Sequence, residues 1–172
     1  MNESESQNDP KLSHISDGGR ASMVDVGAKD PTRRTAVAEA WVDVGPEIAA
    51  ILRTSGAVAK GNVLETARIA GIMGAKRTPD LIPMCHPLAL EVVDIDAELD
   101  GDRVRLVARA VCHGKTGVEM EAMTAASIAA LTVYDMVKSA GKGVVIGPVR
   151  LLEKCGGKSG HWLRAENGNG NG

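Results

Sequence analysis

The chain has 172 residues with a formal net charge of −2, and 44% of its residues are apolar. This length fits one domain with an ordinary hydrophobic core, and no apolar run approaches the ~18 residues that a membrane-spanning helix needs. Because aromatic residues make up only 2% of the chain, we also expect neither base stacking on single-stranded nucleic acid nor an aromatic-lined ligand pocket.

The first half of the chain predicts one strand followed by two helices. Small and apolar residues alternate along the strand, and Gly56 ends the first helix. Asn62 is a favourable N-cap for the second helix, in which Gly71 and Gly74 indicate close packing against another backbone. The predicted ranges are 34–44 for the strand, 47–54 for the first helix and 62–76 for the second helix.

The second half of the chain predicts a hairpin, a long helix and a final strand. Apolar residues alternate on both sides of Asp100-Gly101, which is typical of a tight hairpin turn. Three prolines exclude regular structure in the preceding segment 78–87, and Gly147-Pro148 predicts a bulge or an edge position for the final strand. The predicted ranges are 93–99 and 104–112 for the hairpin, 118–139 for the long helix and 144–153 for the last strand.

The predicted element order is β-α-α-β-β-α-β. Without the extra helix, this is the split βαβ order of an α+β, ferredoxin-like fold, with an antiparallel sheet and helices packed on one face. We expect residues 12–163 to form a single domain. The polar ends, 1–11 and 164–172, are expected to be disordered because they contain little that could be buried.

Three cysteines, Cys85, Cys112 and Cys155, are too few for a disulfide framework and predict reduced thiols in a cytoplasmic protein. The N-terminus agrees with this location, since it lacks the basic and apolar regions of a signal peptide. Cys85-His86 and Cys112-His113 could suggest zinc ligands. No CxxC or HxxxH spacing accompanies them, and adjacent residues on a strand face opposite ways, so we predict no metal site.

Two other features indicate contact with a ligand. Cys85-His86 lies between Pro83 and Pro87, and a histidine held in a rigid surface loop suits ligand contact, although capping of local backbone groups remains a structural alternative. Residues 138–164 carry six basic residues and one acidic residue, which predicts a local anion site. The Gly156–Gly160 loop could offer backbone N–H groups to a phosphate.

The long helix carries charged residues at both ends. Asp135 and Lys138 are i,i+3 neighbours, which usually form an exposed ion pair, but apolar residues surround them in sequence and favour a partly dry site suited to proton transfer. Glu121 lies ~21 Å away along a continuous helix, so a small substrate could not contact both ends within one chain. If both ends are functional, the active sites lie between subunits of an oligomer.

Lys60 stands immediately before Gly61-Asn62 at the predicted start of the second helix. A cation at this end of a helix is unfavourable against the helix dipole, so local stability does not explain it. A solvated loop lysine is the ordinary interpretation. The functional alternatives are binding of a phosphate together with the N–H groups of the helix, or proton transfer.

Several segments together resemble the cyclic pyranopterin monophosphate synthase family of molybdenum cofactor biosynthesis. The similarity extends from about Leu12 to Gly160, and the run Gly-Lys-Thr-Gly-Val-Glu-Met-Glu-Ala at 114–122 is too long to be a promiscuous pattern. The similar segments are 23–26, 60–63, 67–72, 75–78, 81–88, 114–130, 134–136, 145–152 and 156–160.

The resemblance implies a ferredoxin-like lyase that converts a 3′,8-cyclised dihydro-GTP into cyclic pyranopterin monophosphate and pyrophosphate, without a redox cofactor. It also implies a homohexamer, a trimer of dimers with active sites at dimer interfaces. By resemblance, Asp135 is the active-site aspartate, and Lys60 and Lys138 are general acid/base lysines. The substrate-contacting residues implied in the same way are Arg34, Met84, Cys85, His86, Glu119, Met120, Glu121 and Lys154.

Two other functions fit the same predicted fold, because fold alone does not settle function. The first is a non-catalytic nucleotide-binding module, which would not need Asp135 next to Lys138. The second is an RNA-binding domain, which the scarcity of aromatic residues and the negative net charge disfavour. We therefore predict a lyase that acts on a small molecule and has no nucleic-acid or membrane partner.

Overall fold

A computed structural model describes residues 19–55, 57–58, 61–158 and 160–165 of the chain. The strands are β1 (Thr32–Asp43), β2 (Ala57–Val58), β3 (Gly61–Asn62), β4 (Leu90–Asp100), β5 (Arg103–Gly114), β6 (Val145–Cys155) and β7 (His161–Leu163). The helices are α1 (Gly45–Ser55), α2 (Val63–Lys76), α3 (Thr78–Leu81) and α4 (Glu119–Val137). Five strands form one antiparallel sheet in the order β4-β5-β1-β6-β7, and β2 pairs with β3 separately.

This architecture confirms the predicted α+β class. Apart from the extra helix α1 and the short elements, the chain runs β1-α2-β4-β5-α4-β6, which is the predicted split βαβ order. Helix α4 packs on β1, β5 and β6, and α2 packs on β4 and on α4. The two long helices therefore cover one face of the sheet.

The layer between sheet and helices is built from small side chains. On β1, every second residue from Ala36 to Val42 is fully buried, and β5 contributes a similar row from Val104 to Ala110. Helix α4 presents alanines to the same core. The small and apolar residues that alternate in the sequence of these strands therefore face this core, and the residues between them face the opposite side of the sheet.

The two glycines of α2 lie where α2 meets α4, as the sequence predicted. A Cβ atom added to Gly71 would lie 2.7 Å from the carbonyl oxygen of Ala125, and one added to Gly74 would lie 2.8 Å from the side chain of Ile128. Both distances are too short for a real Cβ, so the two helices approach as closely as they do because these positions carry no side chain.

The structure differs from the prediction in its short elements. The segment 78–87, predicted to lack regular structure, begins with the one-turn helix α3, in whose first turn Pro79 is tolerated because no N–H is needed there. The hairpins β2–β3 and β6–β7 are also absent from the prediction. Strand β7 consists of three exposed residues, which show no alternation from which a strand could be predicted.

The predicted bulge in the last strand is confirmed. The pairing of β1 with β6 shifts register between Ala40, which faces Val149, and Val42, which faces Ile146. This shift coincides with Gly147-Pro148. Strand β6 is not an edge strand at its C-terminal end, because β7 pairs with Glu153 to Cys155 there.

The ends of the chain lie largely outside the described residues, which omit 1–18 and 166–172. Of the predicted C-terminal tail, Arg164 is described, and its backbone N–H donates to the carbonyl of Leu152 at 2.8 Å. Within the described part of the chain, no helix is both long and apolar enough to span a membrane.

Both tryptophans lie outside the core. The guanidinium carbons of Arg103 and Arg105 lie 4.4 and 5.5 Å from the ring centre of Trp41 on the face of the sheet that α2 and α4 leave uncovered. Trp162, on β7, is exposed and lies beside Arg164. The core itself is formed by aliphatic side chains, Cys112 and Met136.

Candidate active site

A cavity of about 930 Å³ lies at one edge of the sheet. Strand β1 is antiparallel to β5 and β6, so the start of β1 meets the ends of both neighbours at this edge, and α4 begins beside them. The volume is at the upper end of the range of small-molecule sites. The lining comes from the segment 24–32, the start of β1, the loop 84–88, residues 115–121 and residues 154–158.

The structure places all the residues predicted to contact substrate on this one cavity. They come from four separate stretches of the chain, which only the folded sheet brings together. They are Arg34, Met84, Cys85, His86, Glu119, Met120, Glu121 and Lys154. Their roles toward a substrate remain predictions.

Arg34 is held at the cavity by backbone carbonyls. Its Nε donates to the carbonyl of Gly114 at 3.2 Å and one terminal nitrogen donates to that of Lys115 at 3.5 Å. The guanidinium also lies against Gly157, where an added Cβ would overlap it. Gly157 has φ +70°, a conformation that favours glycine, so the loop after β6 can pack directly on Arg34.

Lys154 and Glu119 form an ion pair across the cavity. Nζ of Lys154 lies 2.5 Å from Oε1 of Glu119, and the two side chains are 27% and 28% exposed. The other Glu119 oxygen lies over Gly117, where an added Cβ would overlap it. The pair thus links the end of β6 to the first turn of α4.

Glu121 is the most buried acidic group of the cavity, with 3% of its surface exposed. Burial raises the pKa of its carboxyl group, and the negative charge of Glu119 raises it further. No ion pair involves Glu121 within the described residues. This carboxyl group therefore keeps its proton to a higher pH than an exposed glutamate and can serve as a proton donor or acceptor.

All three cysteines are described and are free thiols. Burial and the charge of Glu121 raise the pKa of Cys85, which lies on the cavity, and they also raise the pKa of Cys112, which is buried in the core. A raised thiol pKa leaves the group protonated, so neither thiol is activated as a nucleophile. This is consistent with a contact role for Cys85.

Three lysines of the cavity were not among the predicted site residues: Lys29, Lys115 and Lys158. Nζ of Lys115 donates to the carbonyl of Gly27 at 2.7 Å and so fixes the segment 24–32 over the cavity. With Arg34 and Lys154, five basic side chains line the cavity beside four acidic ones, Asp25, Asp30, Glu119 and Glu121, and the basic groups can bind the negative charges of a ligand. The basic composition of 138–164 indicated Lys158, but no periodicity indicated Lys29 or Lys115.

Asp135 and Lys138 lie at the far end of α4. Lys138 Nζ is 2.7 Å from Asp135 Oδ1, as the i,i+3 spacing predicted. The side chains are 56% and 54% exposed, and the hydrogen bond from Asp135 raises the pKa of Lys138. The expectation of a partly dry site is therefore wrong for a single chain, because the apolar neighbours of the pair face the core instead.

The distance between the two ends follows from the continuity of α4. The helix runs unbroken from Glu119 to Val137, and the 16 residues from Glu119 to Asp135 span about 24 Å. Within one chain, the cavity and the Asp135–Lys138 pair cannot contact the same small molecule.

Lys60 lies outside the described residues. The N-cap Asn62, two residues later, is described, and its side chain accepts a hydrogen bond from the backbone N–H of Glu65 at 3.0 Å.

Comparison with known proteins gives consistent results. The sequence profile described as the MoaC family matches residues 23–157. The cyclic pyranopterin monophosphate synthase of Streptomyces avermitilis is 56% identical over 155 residues, which cover 90% of this chain and 91% of that protein. The protein of the same name from Brucella ovis is 55% identical, and the match covers 88% of this chain and 93% of that protein. The one from Novosphingobium aromaticivorans is 53% identical, and the match covers 90% of this chain and 98% of that protein.

Proposed function

The chain belongs to the MoaC family, and we propose that it acts as a cyclic pyranopterin monophosphate synthase, a lyase of molybdenum cofactor biosynthesis. In this proposal, the substrate is a 3′,8-cyclised dihydro-GTP and the products are cyclic pyranopterin monophosphate and pyrophosphate. The observation that supports the proposal is one cavity of about 930 Å³ that combines five basic side chains with a buried carboxyl group.

The basic side chains suit the phosphate part of the reaction. Formation of a cyclic phosphate requires attack of a ribose oxygen on the α-phosphorus, with pyrophosphate as the leaving group. Arg34, Lys154 and Lys158 line the same cavity and can offset the negative charge that develops on the leaving group. Lys154 must then exchange Glu119 for a phosphate oxygen.

The purine part of the reaction requires several proton transfers, because the ring is opened and rebuilt. We assign these transfers to Asp135, Lys60 and Lys138, with Glu121 in contact with the substrate. In a single chain, Asp135 raises the pKa of Lys138, so the pair needs further desolvation to reach a pKa closer to neutrality. Contact with a second subunit would supply that desolvation.

We therefore propose a homo-oligomer, a hexamer arranged as a trimer of dimers, in which one subunit supplies the cavity and another supplies Asp135 and Lys138. The ~24 Å between these groups within one chain supports this division. Ile69 and Met73 on α2 and Leu131 on α4 are about half exposed, and exposed apolar side chains of this kind favour subunit contacts. We also propose a cytoplasmic location, without nucleic-acid or membrane partners.

The experiment that tests the proposal is incubation of the protein with the cyclised GTP derivative, with release of pyrophosphate as the measurement. We expect turnover by the unmodified chain, no turnover by Asp135→Asn, and unchanged turnover by Asp96→Asn, which removes an exposed carboxylate on β4. Substrate binding by the unmodified chain without pyrophosphate release would contradict the proposal and favour a non-catalytic nucleotide-binding module.

Single-turnover assays of Lys60→Ala and Lys138→Ala test the two lysines separately. We expect the chemical step to slow by at least about 100-fold in each, which is the usual contribution of a general acid or base. A near-normal rate in either variant would remove that lysine from the proton transfers, and it would leave the assignment of the reaction itself unchanged.

A further inference from the structure

The hairpin of β6 and β7 brings together three side chains that can bind a metal ion. Cys155 on β6 is the direct register partner of His161 on β7. Glu153 precedes Cys155 by two residues, and residues two apart on a strand face the same side of the sheet. All three side chains therefore point to one side of the hairpin, whereas Lys154 between them pairs with Glu119 at the cavity.

The potential ligand atoms already lie close together. His161 Nε2 is 2.8 Å from Glu153 Oε1, and Cys155 Sγ is 3.7 Å from the same oxygen. One ligand atom from each of the three residues lies within 4.8 Å of the other two. Among the described residues this is the one group of three histidine, cysteine or acidic side chains with that proximity.

These distances resemble those around tetrahedral zinc. Zinc binds sulfur at about 2.3 Å and nitrogen or oxygen at about 2.0–2.1 Å, so neighbouring ligand atoms in a tetrahedral site lie about 3.3–3.5 Å apart. The observed separations of 2.8 and 3.7 Å lie on either side of that range. Rotation of the His161 side chain can adjust these separations, because this side chain is 57% exposed.

We propose that Glu153, Cys155 and His161 form a zinc site with a fourth position open to solvent. Sulfur and imidazole ligands favour zinc over magnesium or calcium, which prefer oxygen. A thiolate and a carboxylate together balance the charge of the ion. The cation must displace the thiol proton, since partial burial and the charge of Glu153 raise the pKa of Cys155.

The zinc site would fix one wall of the cavity. The loop between Cys155 and His161 contains Gly156 and Gly157, and Gly157 packs on the guanidinium of Arg34. A metal ion that joins the two ends of this loop restricts its motion and thereby the position of Arg34. The role of this zinc site is structural, and the proposed reaction involves no step at the metal.

Cobalt and zinc titrations of the metal-free full-length protein test the site. We expect one equivalent of Co²⁺ per chain to bind, with tetrahedral absorption bands and a thiolate-to-cobalt charge-transfer band, and zinc to displace it. Cys155→Ser should abolish the charge-transfer band. His161→Gln should weaken zinc binding by at least about 100-fold, since even outer-shell partners of a metal contribute about 10–100-fold.

Cys85→Ser and His113→Gln are the matched controls, because they remove a second thiol and a second exposed imidazole that lie outside the cluster. Both should bind metal like the unmodified chain. The proposal would be overturned if the unmodified chain lacked the charge-transfer band, or if Cys155→Ser retained it. Unchanged zinc affinity in His161→Gln, or loss of the charge-transfer band in Cys85→Ser, would also overturn it. None of these measurements depends on enzymatic activity, so the proposed function and the zinc site can fail independently.

Discussion

Nζ of Lys154 lies 2.5 Å from Oε1 of Glu119, and this contact joins the end of β6 to the first turn of α4. Both side chains are largely buried, so solvent and salt screen their interaction less than that of the exposed Asp135–Lys138 pair. An anionic ligand that enters the cavity competes with Glu119 for this lysine. Lys154 is therefore positioned to bind an anion, and here the Glu119 carboxylate is the anion that it binds.

The first prediction concerns Lys154→Met. We expect KM for the cyclised GTP derivative to rise by about 10–100-fold, with a smaller effect on kcat, because the substitution removes a charge-assisted hydrogen bond and leaves the Glu119 carboxylate facing the phosphates. Steady-state pyrophosphate release measures both constants. Lys142→Met, an exposed lysine beyond α4, is the control, and an equal rise in KM there would show that the effect is one of total charge.

The second prediction is a pH dependence of stability that arises at Glu121. Burial raises the pKa of this carboxyl group above its ordinary value of 4.5 in the folded chain, so the folded state holds the proton at pH values where the unfolded state has lost it. The stabilising contribution is complete below the unfolded pKa and is lost as pH rises through the folded pKa. Each pKa unit corresponds to about 1.4 kcal/mol.

Glutamine at position 121 does not titrate, so Glu121→Gln should gain stability relative to the unmodified chain as pH rises from 5 to 8. Thermal unfolding of both chains across this range measures the difference. Glu91→Gln, an exposed position on β4, should follow the unmodified chain at every pH. A constant offset between Glu121→Gln and the unmodified chain would mean that Glu121 is ionised throughout.

The third prediction separates backbone strain from contact with Arg34. Gly157→Ala and Gly160→Ala both place alanine at positive φ, +70° and +62°, which costs about 1–2 kcal/mol in each case. Only at Gly157 would the new Cβ overlap the Arg34 guanidinium, whereas Gly160 has open space. We expect similar losses of stability, but a large fall in kcat/KM only for Gly157→Ala. Equal activity of the two variants would show that the position of Arg34 does not matter for the reaction.

The core elements of the fold were predictable because their patterns are local. Alternation in β1 and in the β4–β5 hairpin, the N-cap Asn62 and the two glycines of α2 each depend on residues close in sequence. Strand β7 was not predictable, since its three exposed residues become a strand only by pairing with the end of β6. The Glu153–Cys155–His161 cluster was missed for the same reason, because its members meet only when this hairpin forms.

Residues of the candidate site were predictable where they lie in long segments that resemble a known family. They were not predictable where only tertiary contacts determine their position and environment. Lys115 lies in the run 114–122 that resembles the family, but only its hydrogen bond to the carbonyl of Gly27 shows how it fixes the segment over the cavity. The environment of Asp135 and Lys138 was predicted wrongly, because apolar neighbours in sequence lie on the opposite side of the helix. Local composition does not reveal which side a residue faces.

The fourth prediction tests whether two chains build one site. Arg34→Ala and Asp135→Asn should each abolish turnover, but an equal mixture that is unfolded and reassembled should recover about a quarter of the unmodified activity, because random pairing of subunits gives that share of sites with both residues intact. Mixed Asp135→Asn and Lys138→Ala chains are the control, since both lesions then lie in the same half of the site. Recovery in the control, or none in the first mixture, would contradict a site shared between subunits.

The placement of the aromatic residues determines what optical spectroscopy can detect in this protein. The chain has no Phe, one Tyr and two Trp, and neither indole lies in the core. Tryptophan fluorescence will thus report on the outer face of the sheet at Trp41 and on the β6–β7 hairpin at Trp162, and it will respond little to loosening of the alanine-rich interior. A Trp41→Tyr chain would carry Trp162 as its single tryptophan, two residues beyond Gly160 in the loop between Cys155 and His161, and the tryptophan emission would respond to events in that loop without any added label.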